Sequence, residues 1–565
     1  MADGLSAREI LALITDDFTE LPSPIRESAP GGPLAWPGYD GARARAAERT
    51  GEQESVVCGT GRVEGTRAVL IAFEFGFLGG SLGERTGDRL VAAYAHAREH
   101  RLPVVPLVAT GGSRMQEGML ALTQLQRVAR ESALTREAGL PQIAVLRDPT
   151  TGGGWATLGA GADIVLALPG AQVGFAGSRV RPPDADPTAY TAEAQVATGA
   201  ADALVPPEEL RKTLGRWLRL LSQEPAGRPA DAQTDTRTTD ARTTEAATTD
   251  AATTKAATTD ARTTDAATTE APTTDAPPTD AATTEARTTG PSAGPPGPAS
   301  SAGHSAPDRA APSAEHSAPD RAAPPASGPQ DRHIAPAPVP AALGSAELPA
   351  TGWDAVRRAR SPERPRAHAY LDAYFTYRLA ISGDRCGGTD PGGMLCGFGE
   401  HQGRTVAYAA QTGAATRPAG YRTAARLIRL ADRLGIPVLT LVDTPGAAND
   451  AEAERHGAGA AIAELFGAVA AARTPVTTLV IGEGGSGGAL ALAAPGNTWA
   501  TPDSYFSVIA PELAAAILKR PPGEVESTAG QLRLRPQDLT ELGVVRGISD
   551  RTRDQLFPGT GDRRP

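Results

Sequence analysis

Two glycine clusters in this chain have the composition and the setting needed to hold a reacting oxygen. "TTGGG" (Thr150–Gly154) follows the apolar run Ile143–Leu146, and "GEGGSGG" (Gly482–Gly488) follows the apolar run Thr477–Ile481. Each precedes an Ala-rich helical pattern and is predicted to form a strand-to-helix turn, where backbone N–H groups lack helical partners and the helix dipole adds positive charge. Because glycine lets a ligand reach those amides, each turn could bind a phosphate or an oxyanion formed during a reaction.

The glycine clusters could also serve helix packing or nucleotide binding. Close packing of a helix on a strand favours small residues, although two clusters in equivalent positions argue against packing alone. "GEGGSG" (Gly482–Gly487) fits the dinucleotide-binding spacing G-x-G-x-x-G, but it lies late in its half of the chain. No clear acidic strand end follows it at about 20 residues. A phosphate-binding P-loop is disfavoured because no Lys-Ser/Thr pair follows the glycines.

Two further turns are predicted beside the clusters. "ATGGSRMQEG" (Ala109–Gly118) and "DTPGAANDAEAERHG" (Asp443–Gly457) each follow the first buried strand of their half. Their glycines would let the chain turn back and line the same cavity. Glu117 and Asp443 could act as general bases there, and helix capping accounts for both equally well.

The elements that position these turns occur twice in the chain. Pro103 pairs with Pro437 in one pair of matching segments, and Pro141 pairs with Pro475 in another; both pairs lie 334 positions apart. A register shared by two separate motifs predicts two copies of one fold. Unbroken apolar runs indicate parallel strands that are buried on both faces, and helical patterns lie between them, so the fold class is α/β. The predicted helices are Gly87–Leu102, Met119–Gly139, Gly420–Gly435 and Gly459–Thr474.

A spacer of different composition separates the two copies. Thr/Ala/Asp repeats give way to Pro/Ala/Ser sequence that has almost no large apolar residues. Such a segment cannot bury enough apolar area to offset the entropy of ordering its backbone, and its Thr pairs and prolines disfavour a helix. We therefore predict domains at 1–223 and 350–565, joined by a disordered linker at 224–349.

Composition excludes several classes of protein. A net charge of −10 provides no basic field for nucleic acid or an anionic membrane. The three cysteines, Cys58, Cys386 and Cys396, have neither disulfide-framework nor zinc-ribbon spacing. No secretion signal and no apolar run of about 18 residues is present, which predicts a cytoplasmic protein.

The motifs resemble the carboxyltransferase component of biotin-dependent acetyl-CoA carboxylase. "FEFGFLGGSLGERTGDRLVAA", "LRDPTTGGGWATLGAGADI" and "GFAGSRV" resemble its β subunit in order, whereas "GYRTAARLIRLADR", "DTPGA" and "VIGEGGSGGALAL" resemble its α subunit. The resemblance implies two crotonase-like (ClpP/crotonase) domains, related by internal duplication, and a two-subunit enzyme carried on one chain.

The resemblance also implies a reaction and its residues. A carboxyl group would pass from carboxybiotin, borne on a carrier protein, to acetyl-CoA, and the two anions involved would each need an oxyanion hole. One hole would use Gly152, Gly153 and Gly154, and the other Gly487, Gly488 and Ala489. The cofactor and CoA ligands implied are Gly111, Gly112, Arg114, Arg179, Gly446 and Ala447, with Arg181 as a further candidate for the CoA phosphates. The released biotin anion would itself be the base.

Partners follow from the same resemblance. They are a biotin carboxyl carrier protein, a biotin carboxylase and a second copy of this chain, with β-type and α-type domains pairing within or between chains. No metal site is expected, since the family's four-cysteine zinc ribbon has no counterpart here. "HQGR" (His401–Arg404) resembles the family's motif, but the stretch after it (Ala407–Arg422) is shorter and less basic than in the family. This change and the altered "ANDAEAERHG" (Ala448–Gly457) fall near where biotin or its carrier would enter. Propionyl-CoA or another acyl-CoA as substrate, a biotin-independent hydratase, isomerase or decarboxylase, and a non-catalytic assembly subunit remain alternatives.

Overall fold

Two eight-stranded mixed sheets form the framework of the protein. The computed structural model describes residues 4–27, 29–222 and 334–550, and most of the predicted linker lies outside them. We call residues 4–222 the N-lobe and residues 334–550 the C-lobe. Both lobes belong to one compact unit.

The N-lobe sheet has the order β1-β2-β3-β4-β5-β6-β8, with β7 paired to β5. Its first three strands are antiparallel neighbours, and the others pair in parallel. The strands are β1 (Asp17–Glu20), β2 (Val56–Val63), β3 (Thr66–Phe73), β4 (Val104–Thr110), β5 (Ile143–Thr151), β6 (Ile164–Ala167), β7 (Val173–Gly174) and β8 (Ala203–Leu204). The helices are α1 (Ala7–Ile14), α2 (Tyr39–Thr50), α3 (Glu84–Glu99), α4 (Gly118–Leu122), α5 (Gln124–Glu137), α6 (Gly152–Gly154), α7 (Ala192–Ala197) and α8 (Pro207–Leu221).

The C-lobe sheet has the order β16-β14-β13-β12-β11-β10-β9, with β15 paired to β13. The strands are β9 (Tyr377–Ile381), β10 (Met394–His401), β11 (Arg404–Gln411), β12 (Val438–Thr444), β13 (Val476–Gly485), β14 (Thr498–Ala500), β15 (Tyr505–Ser507) and β16 (Gly547–Ile548). The helices are α9 (Gly352–Arg360), α10 (Ala367–Tyr374), α11 (Pro418–Leu434), α12 (Ala451–Arg455), α13 (Ala458–Ala471), α14 (Ser486–Leu490), α15 (Pro511–Ile517), α16 (Val525–Gln531) and α17 (Pro536–Glu541).

The internal duplication extends to the hydrogen-bond register of the two sheets. β4 pairs with β5, and β12 with β13, through residues that keep the offset of 334, and both ladders are irregular at the same place. Isolated parallel bridges repeat the same offset in the loops. The predicted α/β fold and its duplication are therefore confirmed. Equivalent pairs are Leu107–Val145 and Leu441–Leu479, Thr110–Thr150 and Thr444–Gly484, and Leu82–Ser113 and Thr416–Ala447.

The sequence predicted the helices well but not all of their limits. The pattern over Met119–Gly139 forms two helices, because α4 ends and α5 begins on either side of Thr123. The strand predicted at Ile143–Leu146 continues to Thr151 and reaches the glycine cluster itself.

The C-lobe begins before residue 350. Ala337 and Ala342 are buried in its core. The carbonyl of Ala337 accepts a hydrogen bond from Thr477 Oγ1 at 2.8 Å, and that of Pro338 accepts one from Tyr374 Oη at 2.9 Å. Residues 334–349 thus pack on the domain, and the predicted linker end at residue 349 is too late. A Pro/Ala-rich composition marks this segment as linker, but its few apolar groups are enough to anchor it.

Helices α5 and α13 pack against each other and join the lobes. A single apolar cluster includes Leu125 and Val128 of α5 together with Ile462 and Phe466 of α13. The small side chains of α13 allow the close approach of neighbouring elements. Among the residues that the structure describes, no helix combines the length and apolar character needed to cross a bilayer.

Candidate active site at the lobe junction

Both glycine clusters form the predicted strand-to-helix turns. β5 ends at Thr151 and is followed by α6, and β13 ends at Gly485 and is followed by α14. Gly152 and Ser486 occupy the same position of the duplicated register and both have left-handed φ angles, +64° and +53°. The two turns therefore follow the same backbone path, and a left-handed serine in one of them is an uncommon conformation held by its surroundings.

Side chains fix the peptide groups of both turns. Gln411 Nε2 and Tyr421 Oη each donate a hydrogen bond to the Gly488 carbonyl, both at 3.1 Å. In the N-lobe, Thr157 Oγ1 donates to the Gly153 carbonyl at 2.7 Å. With the carbonyls held, the first-turn amides keep fixed positions without intrahelical acceptors, as preorganised oxyanion binding requires.

Packing accounts for some of these glycines but not for Gly487. A Cβ atom on Gly153 would lie 2.3 Å from the Leu125 side chain, and one on Gly488 would lie 2.4 Å from the Ala447 backbone nitrogen. A Cβ atom on Gly487 would meet nothing closer than Phe175, at 3.6 Å. Packing therefore does not require glycine at position 487, whereas an open approach to its amide does.

The two turns meet at the junction between the lobes. The Leu125 side chain lies against Gly153 and also against Gly487, 3.8 Å from the Cβ position of the latter. Phe175 is likewise shared, since its carbonyl accepts from Gly152 N at 3.2 Å and its ring lies beside Gly487. The structure thus brings together glycine clusters that are more than 300 residues apart in the sequence.

The second pair of predicted turns lies beside the first. Gly112 has a φ of +103°, and its Cα lies 3.3 Å from a Cβ placed on Gly152. Gly446 has a φ of +146°. The backbone nitrogen of Ala447 is the atom nearest to a Cβ placed on Gly488. Gly111 donates from its amide to the Gly79 carbonyl at 2.9 Å. The structure therefore places Gly112, Gly446 and Ala447 beside the two glycine clusters.

Direct contacts between the lobes surround the turns. Tyr190 Oη donates to the Asn449 carbonyl and Asn449 Nδ2 donates to the Val180 carbonyl, both at 2.7 Å. Gln126 Nε2 donates to the Ala493 carbonyl at 2.8 Å, just beyond α14. Sequence patterns do not reveal such contacts, because their partners lie in different halves of the chain.

Neither carboxylate that the sequence offered as a base is free. Glu117 Oε2 accepts from the Glu84 amide at 2.6 Å, where α3 begins, and Oε1 binds Tyr39 Oη. Helix capping is therefore the observed role of Glu117. Asp443 is buried, forms an ion pair with Arg364, and accepts from the Glu483 amide at 3.2 Å.

The prediction that Arg114 binds a CoA phosphate is wrong. Its guanidinium is buried and forms ion pairs with Glu54 and Glu117, and Nη2 also donates to the Ser81 carbonyl at 2.7 Å. Burial raises the pKa of Glu54, but the charge and hydrogen bonds of Arg114 outweigh it and lower this pKa to about 2. Arg114 therefore has a structural role that the sequence, which shows only an Arg after two glycines, does not reveal.

An Arg114→Met variant should be less stable by about 3–5 kcal/mol at pH 7, because it leaves Glu54 buried and unpaired. Since the folded-state pKa of Glu54 lies below its unfolded value, the stabilisation is present above about pH 4.5 and is lost as the pH falls towards 2. Chemical unfolding at pH 7 and pH 3 should show a smaller deficit at pH 3. An equal deficit at both pH values would contradict the ion-pair interpretation.

The other two arginines differ in accessibility. Arg179 is exposed, two residues beyond Gly177 in a loop of the junction. Arg181 is partly buried, donates from Nε to the Ala176 carbonyl at 2.9 Å, and its guanidinium lies 4.0 Å from the centre of the Tyr190 ring. Of the three arginines proposed from sequence, Arg179 has the side chain best placed to meet a phosphate.

Comparison with known proteins identifies the family of the chain. The carboxyl transferase domain model matches residues 38–197, and the acetyl co-enzyme A carboxylase carboxyltransferase-like model matches residues 347–552. These matches and the two-lobed α/β fold place the protein among the biotin-dependent acyl-CoA carboxyltransferases. The chain belongs to the family of acetyl-coenzyme A carboxylase carboxyl transferases in which the β and α subunits are fused.

Individual relatives show how far the similarity extends. The acetyl-coenzyme A carboxylase carboxyl transferase subunits beta/alpha of Salinispora arenicola are 35% identical over 96% of this chain and 82% of their own length. A probable biotin-dependent acyl-coenzyme A carboxylase beta3 subunit of Mycobacterium bovis is 28% identical over 91% of this chain and 84% of its own length. A crystal structure of transcarboxylase 12S covers 100% of this chain and 93% of its own, with 16% identity and a TM-score of 0.33.

Proposed function

We propose that the protein transfers a carboxyl group from carboxybiotin, borne on a separate carrier protein, to acetyl-CoA and so forms malonyl-CoA. The single observation that carries this proposal is that Gly153 and Gly487 flank the same Leu125 side chain at the lobe junction. Transfer between two substrates creates an anion on each in turn, so two donor sets must face one reaction space. Fused beta/alpha relatives named for acetyl-CoA carboxylase, 31–35% identical, favour acetyl-CoA as the acceptor.

Each lobe would stabilise one of the two anions with its own backbone amides. Amides of Gly153 and Gly154 would hold the thioester oxygen of the acyl group, which becomes negative as the α-carbon loses its proton. The Gly152 amide, predicted as a third donor, donates to the Phe175 carbonyl instead. Amides at Gly487, Gly488 and Ala489 would hold the ureido oxygen of biotin. When bound, biotin supplies the activated carboxyl group and, after its release, the basic nitrogen. Removing a single oxyanion-hole donor costs roughly 3–4 kcal/mol in other enzymes.

The chemistry of the donors fits these ligands. Both anions are single oxygens on planar groups, which fixed N–H donors stabilise without a change of protonation in the protein. Glu117 and Asp443 are both engaged in structural contacts. The side chains at this junction are therefore consistent with a reaction in which the base comes from one of the two substrates and not from the protein.

Carboxylation of free biotin with malonyl-CoA as the carboxyl donor tests the proposal in the reverse direction. Purified protein should form acetyl-CoA and carboxybiotin, and initial rates with malonyl-, methylmalonyl- and ethylmalonyl-CoA should favour malonyl-CoA. A preference for the branched thioesters would replace acetyl-CoA by a longer acceptor. Decarboxylation of malonyl-CoA that is independent of biotin would overturn the proposal in favour of a biotin-independent decarboxylase.

Substitution Arg179→Ala should raise the KM for malonyl-CoA about fivefold and leave kcat unchanged, since an exposed ion pair contributes up to about 1 kcal/mol. The effect should shrink at high salt, because mobile ions screen a surface contact. Arg216→Ala on α8, which is also exposed, is the matched control and should leave KM unchanged. Equal KM values for the wild type and the Arg179 variant at low salt would remove Arg179 from the CoA site.

A further inference from the structure

Glu454 belongs to the C-lobe, and its buried side chain reaches across the lobe junction to the N-lobe. It lies on α12 of the C-lobe, and its side chain is buried. Glu454 Oε1 accepts a hydrogen bond from the Ala176 amide of the N-lobe at 2.8 Å. The sequence around Glu454 shows nothing unusual, because its partner is 278 residues away in the chain.

The segment held by Glu454 touches both glycine turns. Phe175 precedes Ala176, and its carbonyl accepts from the Gly152 amide at 3.2 Å. The ring of the same phenylalanine lies 3.6 Å from the Cβ position of Gly487. One hydrogen bond from the C-lobe therefore fixes a two-residue segment that is in contact with both donor sets.

The carboxyl group of Glu454 is incompletely paired. Oε2 is buried and has no hydrogen-bond partner among the described residues. Burial raises the pKa of Glu454 to about 7, although the amides of Ala176 and Phe175 and the charge of Arg181 act in the opposite direction. A neutral carboxyl is the form that can stay buried here, because an unpaired carboxylate costs much more to desolvate.

Other charged groups around Glu454 do not pair with it. Arg181 and Tyr190 face it from the N-lobe, and Asp450 lies at the start of its own helix. Arg455 of α12 forms an ion pair with Asp186, and Glu464 of the adjacent α13 forms one with Arg429. Arg181 Nη2 is itself buried and has no hydrogen-bond partner within the described ranges.

We propose that Glu454 is a positioning residue for carboxyl transfer, which in its neutral form fixes Phe175–Ala176 and thereby the spacing of the two glycine turns. This inference rests on the proposed function of those turns. Above about pH 7 the carboxylate favours hydration, which loosens the junction and separates the donor sets. Misplacement by about 1 Å can cost about 100-fold in rate.

Two variants separate positioning from simple stability. Glu454→Gln keeps an acceptor oxygen for the Ala176 amide and cannot ionise, so it should keep the kcat of biotin carboxylation at pH 6.5 and lose the decline that the wild type shows above pH 7. Glu454→Ala should lower kcat about 100-fold with little change in the KM for malonyl-CoA. Glu452→Gln, exposed on the same helix, is the matched control and should behave as the wild type at every pH.

Thermal unfolding gives a readout that does not depend on activity. Because the folded-state pKa of Glu454 lies above its unfolded value, its contribution to stability is full below about pH 4.5 and is lost as the pH rises through 7. The unfolding temperature of Glu454→Gln should therefore rise relative to the wild type over that range. Parallel unfolding curves, or a Glu454→Ala variant with wild-type kcat, would overturn the inference. If no form of the protein carboxylates biotin but the unfolding curves are as expected, the proposed function alone is overturned.

Discussion

Gly487→Ala should lower the rate of biotin carboxylation by about 100-fold or more and leave the protein as stable as the wild type. Its Cβ would meet nothing closer than 3.6 Å, and its φ is not left-handed, so the backbone accepts alanine. Alanine is also the better helix former, by up to about 1 kcal/mol. The added methyl group would project towards Phe175 and Leu125, where the two donor sets meet. Loss of one oxyanion contact is worth about 3–4 kcal/mol.

Three comparisons make this result decisive. Gly530→Ala on α16 makes the same chemical change where a Cβ meets nothing within 4 Å, and it should alter neither rate nor stability. Gly153→Ala and Gly488→Ala should lose both, because their Cβ atoms collide with Leu125 and with the Ala447 backbone. If Gly487→Ala carboxylates biotin at the wild-type rate, the C-lobe turn does not hold a reacting oxygen.

The sequence was sufficient for the framework of the protein because repeated local patterns encode it. The offset between Pro103 and Pro437 is the same offset that relates β4 and β5 to β12 and β13 in the structure. The glycine turns are local features, so their positions follow from composition and order. The duplication aligns Ser486 with Gly152, and the structure shows that both are left-handed.

The remaining parts of the site depend on contacts between distant segments. Arg114 follows two glycines, as a phosphate ligand would, yet Glu54 lies 60 positions earlier in the chain and binds it in the core. Glu454 lies on α12 in a segment of polar appearance, and its burial and its hydrogen bond with the N-lobe are visible only in the folded structure. Burial and pairing of a charged residue are tertiary properties, which a single sequence read by pattern does not contain.

Gly459→Ala should weaken the lobe junction and reduce activity with it. Gly459 lies on α13 of the C-lobe, and a Cβ there would come within 2.0 Å of Trp155 Nε1. Trp155 is fully buried directly after the N-lobe glycines, so it cannot move outward without shifting α6. Overpacking of this kind typically costs about 1–3 kcal/mol. Thermal unfolding and the biotin carboxylation rate should both fall.

A double-mutant cycle shows whether the defect arises at this contact. The closest atoms belong to the five-membered ring of Trp155, so Trp155→Phe removes much of the collision, and Gly459→Ala should cost less in that background. Gly467→Ala on the same helix, where a Cβ meets nothing within 4 Å, should have no effect in either background. Additive effects of the two substitutions would mean that they act independently. Coupling in both stability and rate would mean that contact between the lobes of one chain holds the two glycine turns at their working distance.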